Sequence, residues 1–123
     1  MTSLTILCID DESDLLEVRR IFLEKAGYRV VGAATGKEGI RLFSAERIDL
    51  VVLDYWMADM NGLDAADELK RINPKVPIII LSGYCSILDE EVGRVDRWLV
   101  KGQSQPENLL STIRKFLGRD GSA

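Results

Sequence analysis

The stretch Asp49-Leu50-Val51-Val52-Leu53-Asp54 decides the fold. Four apolar residues lie between two aspartates, a pattern typical of a strand buried on both faces. Such strands lie in the middle of a parallel sheet that helices cover on both sides. Asp54 ends the run, and open α/β sheets bind ligands at the carboxyl ends of their strands. Asp54 is therefore a candidate site residue, unless it only caps the turn that follows.

The composition indicates one acidic globular domain. The chain has 123 residues, of which 46% are hydrophobic and 29% charged, and its formal net charge is −4. We expect a single domain over 1–123, with a core from about 4 to 117 and a tail at 118–123 that is either frayed or the start of a linker. The acidic balance argues against direct nucleic-acid binding, since phosphate neutralisation needs clustered Lys and Arg.

Other function classes are excluded by what the sequence lacks. No apolar run is long enough for a membrane span, and the first residues lack a signal-peptide pattern, so we expect a cytoplasmic protein with no membrane partner. Two cysteines do not make a disulfide framework. The absence of histidine excludes histidine catalysis and histidine metal ligands.

Apolar runs and helical spacing predict five strands that alternate with five helices. The strands are predicted at 4–9, 28–34, 49–54, 77–81 and 97–100, and that at 28–34 has the composition of an edge strand. The helices are predicted at 13–26, 36–46, 63–72, 86–92 and 106–117. This alternation favours a parallel sheet with right-handed crossovers.

Helical spacing also predicts which side chains face the sheet. In the first helix these are Leu15, Val18, Phe22 and Ala26. We expect Ile21 and Leu23 to widen the same face, and the alternative is that one of them lies in a partner-binding surface. In the later helices the predicted inward residues are Ile40, Phe43, Leu63, Ala66, Leu69, Ile72, Leu109, Leu110, Ile113, Phe116 and Leu117.

Polar side chains end four of the predicted strands, and the topology brings them to one rim. Asp10 and Asp11 follow the first strand, and Asp54, Ser82 and Lys101 follow the third, fourth and fifth. Carboxylates suit Mg²⁺, and one carboxylate can attack phosphorus. A lysine and a hydroxyl would offset charge on the transferred group. Helix capping by the acids and turn formation by Ser82 are the simpler interpretations of each residue alone.

With these motifs on one rim, the chain resembles the response-regulator receiver domains of two-component signalling over 4–117. The matching motifs are Asp10-Asp11, Leu53-Asp54 with Met57 and Gly62, Leu81-Ser82-Gly83, and Trp98-Leu99-Val100-Lys101. The resemblance implies a flavodoxin-like (βα)5 three-layer sandwich with strand order 2-1-3-4-5. It implies phosphorylation of Asp54 by a sensor histidine kinase or a histidine phosphotransfer protein. It also implies a Mg²⁺ ion held by Asp10, Asp11, Asp54 and the backbone carbonyl of Trp56. The domain would be a phosphoacceptor and not a turnover enzyme.

The resemblance also implies a switch. Ser82 and Trp98 hold the positions of a hydroxyl and an aromatic ring that move together after phosphorylation. The change would appear on the face made by the fourth helix, the fifth strand and the fifth helix, where a downstream protein target or an output domain would bind. Packing of Trp98 as an ordinary edge-strand aromatic is the alternative.

Several residues depart from the family pattern. Gly102 replaces the proline that usually follows Lys101. A cis peptide bond without proline costs about 3 kcal/mol. The sequence therefore does not decide whether the bond between Lys101 and Gly102 is cis or trans. Ala58 replaces a common proline and predicts a less rigid loop. Trp56 and Tyr84 flank the expected phosphorylation site, and two large aromatics there predict a long-lived aspartyl phosphate.

Three other functions were weighed. A haloacid-dehalogenase-type phosphatase needs an acid two residues after the nucleophile, where this chain has Trp56. A flavin-binding module would place its phosphate against Asp10-Asp11-Glu12, which repels it. A degenerate receiver that binds a protein without phosphorylation stays open because of Gly102. The sequence also leaves open whether the domain stands alone or begins a longer regulator.

Overall fold

The computed structural model describes residues 3–83, 95–100 and 106–118, which form five strands and four helices. The elements are β1 Thr5–Ile9, α1 Ser13–Lys25, β2 Arg29–Ala33, α2 Gly36–Ala45, β3 Leu50–Asp54, α3 Gly62–Ile72, β4 Ile78–Ser82, β5 Arg97–Val100 and α4 Pro106–Leu117. The helix predicted at 86–92 lies outside the described residues. None of the described helices is long and apolar enough to cross a membrane.

The strands form one parallel sheet in the order β2-β1-β3-β4-β5, as predicted. Every residue of β1, β3 and β4 is buried, which explains their continuous apolar sequences. Strand β2 lies at one edge and is partly exposed, so the prediction of an edge strand is confirmed.

Helices cover both faces of the sheet, and the strand residues divide between two hydrophobic layers. One layer joins alternate strand residues such as Leu7 and Leu53 to Phe43 of α2 and Leu69 of α3. The other joins residues such as Ile6, Cys8 and Val52 to α1 and α4, through Leu23, Leu109 and Ile113. This alternation is the period-two pattern of strands, and it gives the predicted three-layer sandwich.

The inward face of α1 differs from the predicted one. Val18 is 64% exposed, and Leu15 and Ile21 are also exposed, whereas Leu23 is fully buried. Phe22 and Ala26 pack against the core as predicted. The prediction was wrong for Leu15, Val18 and Ile21. The observed inward face, which includes Leu16, Leu23 and Ala26, also contains the charged residue Arg19, and a hydrophobic pattern counts arginine as polar.

The inward residues of the other helices are mostly as predicted. Phe43, Leu63, Ala66, Leu69, Leu109 and Ile113 are buried, and Ile40, Leu110 and Leu117 pack against the core. The prediction was wrong for Ile72, which is 45% exposed, and for Phe116, which is 38% exposed. Both lie in the last turn of their helix, where the chain leaves the sheet.

Candidate functional site

Three predicted site residues lie together at the carboxyl edge of the sheet. Asp10 follows β1, Asp54 ends β3, and Ser82 ends β4. Strand β3 pairs with both of the others, in registers that set Leu53 opposite Ile9 and Asp54 opposite Leu81. Asp10, Asp54 and Ser82 are 0%, 4% and 3% exposed. The topology therefore brings two carboxylates and a hydroxyl to one partly dry site.

Asp11 completes a cluster of three carboxylates. Oxygen atoms of Asp10, Asp11 and Asp54 lie within 4.8 Å of one another, and Asp11 is exposed to solvent. Two ionised carboxylates at this distance repel by roughly 3 kcal/mol at an effective dielectric constant near 20. Hard oxygen donors at this spacing, with one open to solvent, fit a Mg²⁺ ion that keeps several of its waters.

Asp10 is held by contacts to both of its carboxylate oxygens. The backbone N–H of Glu12 donates to Oδ1 at 2.9 Å, and Nη1 of Arg19 donates to Oδ2 at 3.2 Å. The Arg19 side chain is only 10% exposed, and that of Asp10 is fully buried. Sequence reasoning missed Arg19, although an arginine inside an otherwise apolar helical stripe is a signal that a buried acid lies nearby.

The chain after Asp54 folds back tightly on itself. The N–H of Tyr55 donates to the carbonyl of Leu81 at 2.9 Å, and the N–H of Gly62 donates to the carbonyl of Tyr55 at 2.7 Å. Trp56 and Asn61 form an isolated antiparallel bridge. These contacts restrain the backbone at Tyr55 and Trp56, and the carbonyl of Trp56 is a predicted metal ligand.

The tip of this loop is fastened to the start of α2. The carboxylate of Asp59 accepts hydrogen bonds from the backbone N–H groups of Gly36 and Lys37, at 3.0 and 2.9 Å. Burial raises the pKa of Asp59, but these two donors, the backbone N–H of Asp59 and the charge of Lys37 together hold the pKa below its ordinary value. Met60 lies so close that a Cβ on Gly36 would stand 2.6 Å from its Cγ. These ties restrain the loop in which Ala58 replaces proline.

Asp59→Ala is expected to destabilise the domain by about 1 kcal/mol, as the loss of a helix cap usually does. Because the folded pKa is lowered, the stabilisation is present above the unfolded pKa of about 4 and is lost as pH falls through the folded value. Urea unfolding of wild type and variant at pH 7 and at acid pH measures it. If the difference in unfolding free energy between the two proteins stays constant across this pH range, the Asp59 carboxylate does not stabilise the start of α2 in the way proposed.

Three aromatic side chains connect the loop to the far edge of the sheet. The exposed Trp56 packs edge-on against Tyr55 at 5.0 Å between ring centroids, and Tyr55 lies 5.5 Å from Trp98. Trp98 is opposite Ile80 in the sheet, on the face that also carries Ser82. In the described part of the chain, its indole N–H is buried and has no hydrogen-bond partner. Tyr55 was not among the predicted site residues.

Cys8 is not a rival nucleophile. It lies on β1 two residues before Asp10 and is fully buried. Burial raises the pKa of its thiol to about 12, so the reactive thiolate is absent at neutral pH.

The remaining predicted site residues, Lys101 and Tyr84, lie outside the described residues, as does Gly102. Their roles, and the isomer of the peptide after Lys101, stay predictions.

Comparison with known proteins identifies the family. The family model of the response regulator receiver domain matches residues 6–113. The chain belongs to this family. Among curated relatives of this receiver domain, the transcriptional regulatory protein GlrR of Escherichia coli K12 is 38% identical over 84 residues, which are 68% of this chain. The matched part is only 19% of GlrR, so this receiver domain spans about a fifth of that regulator.

Solved structures agree with the receiver fold. A CheY-like receiver domain protein from Methanospirillum hungatei has a TM-score of 0.87 and 28% identity, covering 95% of each chain. The response regulator TrrA from Thermotoga maritima, solved in complex with Mg²⁺-BeF, has a TM-score of 0.84 and 30% identity, covering 92% of this chain and 98% of its own. The chain is therefore a receiver domain of the kind found in two-component response regulators.

Proposed function

We propose that this receiver domain accepts a phosphoryl group on Asp54 in a Mg²⁺-dependent reaction. The observation that carries the proposal is the placement of carboxylate oxygens from Asp10, Asp11 and Asp54 within 4.8 Å of one another at the end of the sheet. Asp54 is the acceptor because it alone ends the central strand, where backbone hydrogen bonds hold the residues on both sides of it. The complex of TrrA with Mg²⁺-BeF supports a divalent cation in this family.

The chemical step is an in-line transfer to Asp54. A carboxylate oxygen of Asp54 forms a bond to phosphorus while the bond from phosphorus to the donor nitrogen breaks. The donor nitrogen keeps the electron pair of that bond and takes up a proton from solvent. The reaction needs no strong general base, since phosphoryl transfer depends mainly on positioning and on charge stabilisation.

The other site residues have separate tasks in the proposed mechanism. Asp10, Asp11, Asp54 and the Trp56 carbonyl would hold Mg²⁺, and the bound ion would supply positive charge to the phosphoryl oxygens. The Ser82 hydroxyl donates a hydrogen bond to one of those oxygens, and the Lys101 ammonium offsets the charge of another. Trp56 and Tyr84 shield the aspartyl phosphate from water and slow its hydrolysis. The domain is a phosphoacceptor and does not turn over as an enzyme.

The proposed donor is a sensor histidine kinase or a histidine phosphotransfer protein, because the chain belongs to the receiver family. The donor histidine lies outside this sequence, which contains none. The proposed readout is the paired movement of Ser82 and Trp98, which lie on one face of the sheet. It alters the face of β5 and α4, to which a downstream protein or an output domain binds, and the sequence predicts that a helix at 86–92 belongs to the same face. The matched part is 19% of the transcriptional regulatory protein GlrR, which supports the arrangement with an output domain in the same chain.

The proposal is tested by intact-protein mass spectrometry after incubation with acetyl phosphate. We expect wild type to gain one phosphoryl group in the presence of Mg²⁺ and none in the presence of EDTA. Asp54→Ala should gain none in either condition, because the only nucleophile of the reaction has been removed. Circular dichroism of the variant checks that it is folded.

An adduct that persists in Asp54→Ala would place the acceptor elsewhere. If wild type gains no phosphoryl group from acetyl phosphate or from a histidine-phosphorylated donor protein, the domain is a degenerate receiver that binds its partner unmodified.

A further inference from the structure

Arg19 is a largely buried cation that contacts the acidic site from α1. Its side chain is 10% exposed, and its Nη1 lies 3.2 Å from Oδ2 of the fully buried Asp10. Helical side chains lean toward the helix N-terminus, which lets Arg19, in the second turn of α1, reach back to the end of β1. The helix therefore supplies a positive charge to a cluster of three carboxylates.

Stability of the fold alone does not account for an arginine in this position. The inward stripe of α1 is otherwise apolar, with Leu16, Leu23 and Ala26 packed in the core. A buried ion pair often stabilises no better than well-packed apolar residues would, because both charges lose their hydration. The other described arginines of α1, α2 and α3 pair with glutamates of their own helix at the surface. Arg19 instead crosses to a residue of the proposed metal site.

We infer that Arg19 is a built-in counter-ion of the acidic site, which stabilises the metal-free site and weakens its affinity for Mg²⁺. The inference rests on the proposed function. Two effects act in the same direction: the guanidinium repels an arriving cation, and it has already neutralised part of the carboxylate charge that the cation would neutralise. The domain then binds Mg²⁺ only at higher concentrations, while its metal-free form stays folded.

Isothermal titration calorimetry with MgCl₂, without a phosphodonor, tests the inference on four proteins. Arg19→Met should bind Mg²⁺ with a Kd about tenfold lower than that of wild type. Arg20→Met is the matched control, because it removes the same charge from the next position, where Arg20 pairs only at the surface with Glu17 and Glu24. Its Kd should match that of wild type within about twofold. Arg19→Lys, which keeps the charge, should restore a Kd close to that of wild type.

Urea unfolding supplies a second measurement. Arg19→Met should be less stable than wild type in EDTA and should gain more stability from Mg²⁺, because tighter binding to the native state raises stability further. If Arg19→Met fails to fold with and without Mg²⁺, Arg19→Gln replaces it, since glutamine removes the charge and keeps an N–H donor for Asp10.

The outcomes separate the two proposals. The role of Arg19 is overturned if Arg19→Met has a Kd for Mg²⁺ equal to or higher than that of wild type, or if Arg19→Lys has the same Kd as Arg19→Met. Either result leaves the proposed magnesium site unaffected. If neither wild type nor the Arg19 variants bind Mg²⁺, the proposed magnesium site is refuted and the role of Arg19 with it.

Discussion

Gly62→Ala is expected to destabilise the domain by about 3 kcal/mol and to reduce phosphorylation of Asp54 strongly. A Cβ at Gly62 would stand 2.9 Å from the carbonyl oxygen of Asp54 and 2.9 Å from Cα of Tyr55. Both are backbone atoms, so no rotation of a flexible side chain can relieve the contact. The strain must move the backbone that carries Asp54. Urea unfolding and the rate of adduct formation with acetyl phosphate measure the two effects.

Gly83→Ala is the matched control for this change. Gly83 also lies at the site, directly after Ser82, but a Cβ there would meet no atom within 4 Å in the described part of the structure. Its φ is not positive, so alanine fits its backbone. We expect a change in stability within about 0.5 kcal/mol and unimpaired phosphorylation. Equal losses in both variants would show that the close approach at Gly62 is not what constrains the loop.

Leu23→Ala is expected to cost about 3 kcal/mol, the usual effect of opening a cavity in a packed core. Leu23 is fully buried between α1 and the sheet, in the layer that also contains Cys8 and Ile113. Guanidinium unfolding at fixed pH measures the loss, and the slope of the transition shows whether it remains two-state.

Val18→Ala provides the comparison on the same helix. Val18 is 64% exposed, so its truncation removes little buried area, and alanine is the better helix former. We expect no loss of stability, or a gain of about 0.5 kcal/mol. If Val18→Ala lost more unfolding free energy than Leu23→Ala, the helix face predicted from the hydrophobic pattern would be the buried one.

The hydrophobic pattern was sufficient for the sheet and for the placement of Asp10, Asp54 and Ser82 at one rim of it. Continuous apolar runs require strands buried on both faces, and only a covered parallel sheet provides them. The strand order 2-1-3-4-5 came from the resemblance to receiver domains, and the structure has it. Asp10, Asp54 and Ser82 then share a rim because each lies at the end of a parallel strand.

Contacts that depend on long side chains could not be predicted in this way. Arg19 counts as polar in any hydrophobic pattern, yet its side chain is only 10% exposed because it pairs with the carboxylate of Asp10. Its presence shifted the predicted face of α1 toward Leu15 and Val18. Asp59 caps a helix that begins 23 residues earlier in the chain, and no local spacing indicates such a partner.

The indole N–H of Trp98 lowers the stability of the conformation described above. A buried N–H without a partner costs on the order of 1–3 kcal/mol, and in the described residues the Trp98 N–H is in this condition. Any rearrangement that offers the indole an acceptor recovers that free energy, which is as large as the gap that separates many minor conformers from the ground state. In the proposed switch, a conformation that gives the Trp98 N–H an acceptor is therefore favoured by this free energy, whereas a phenylalanine in its place would recover none.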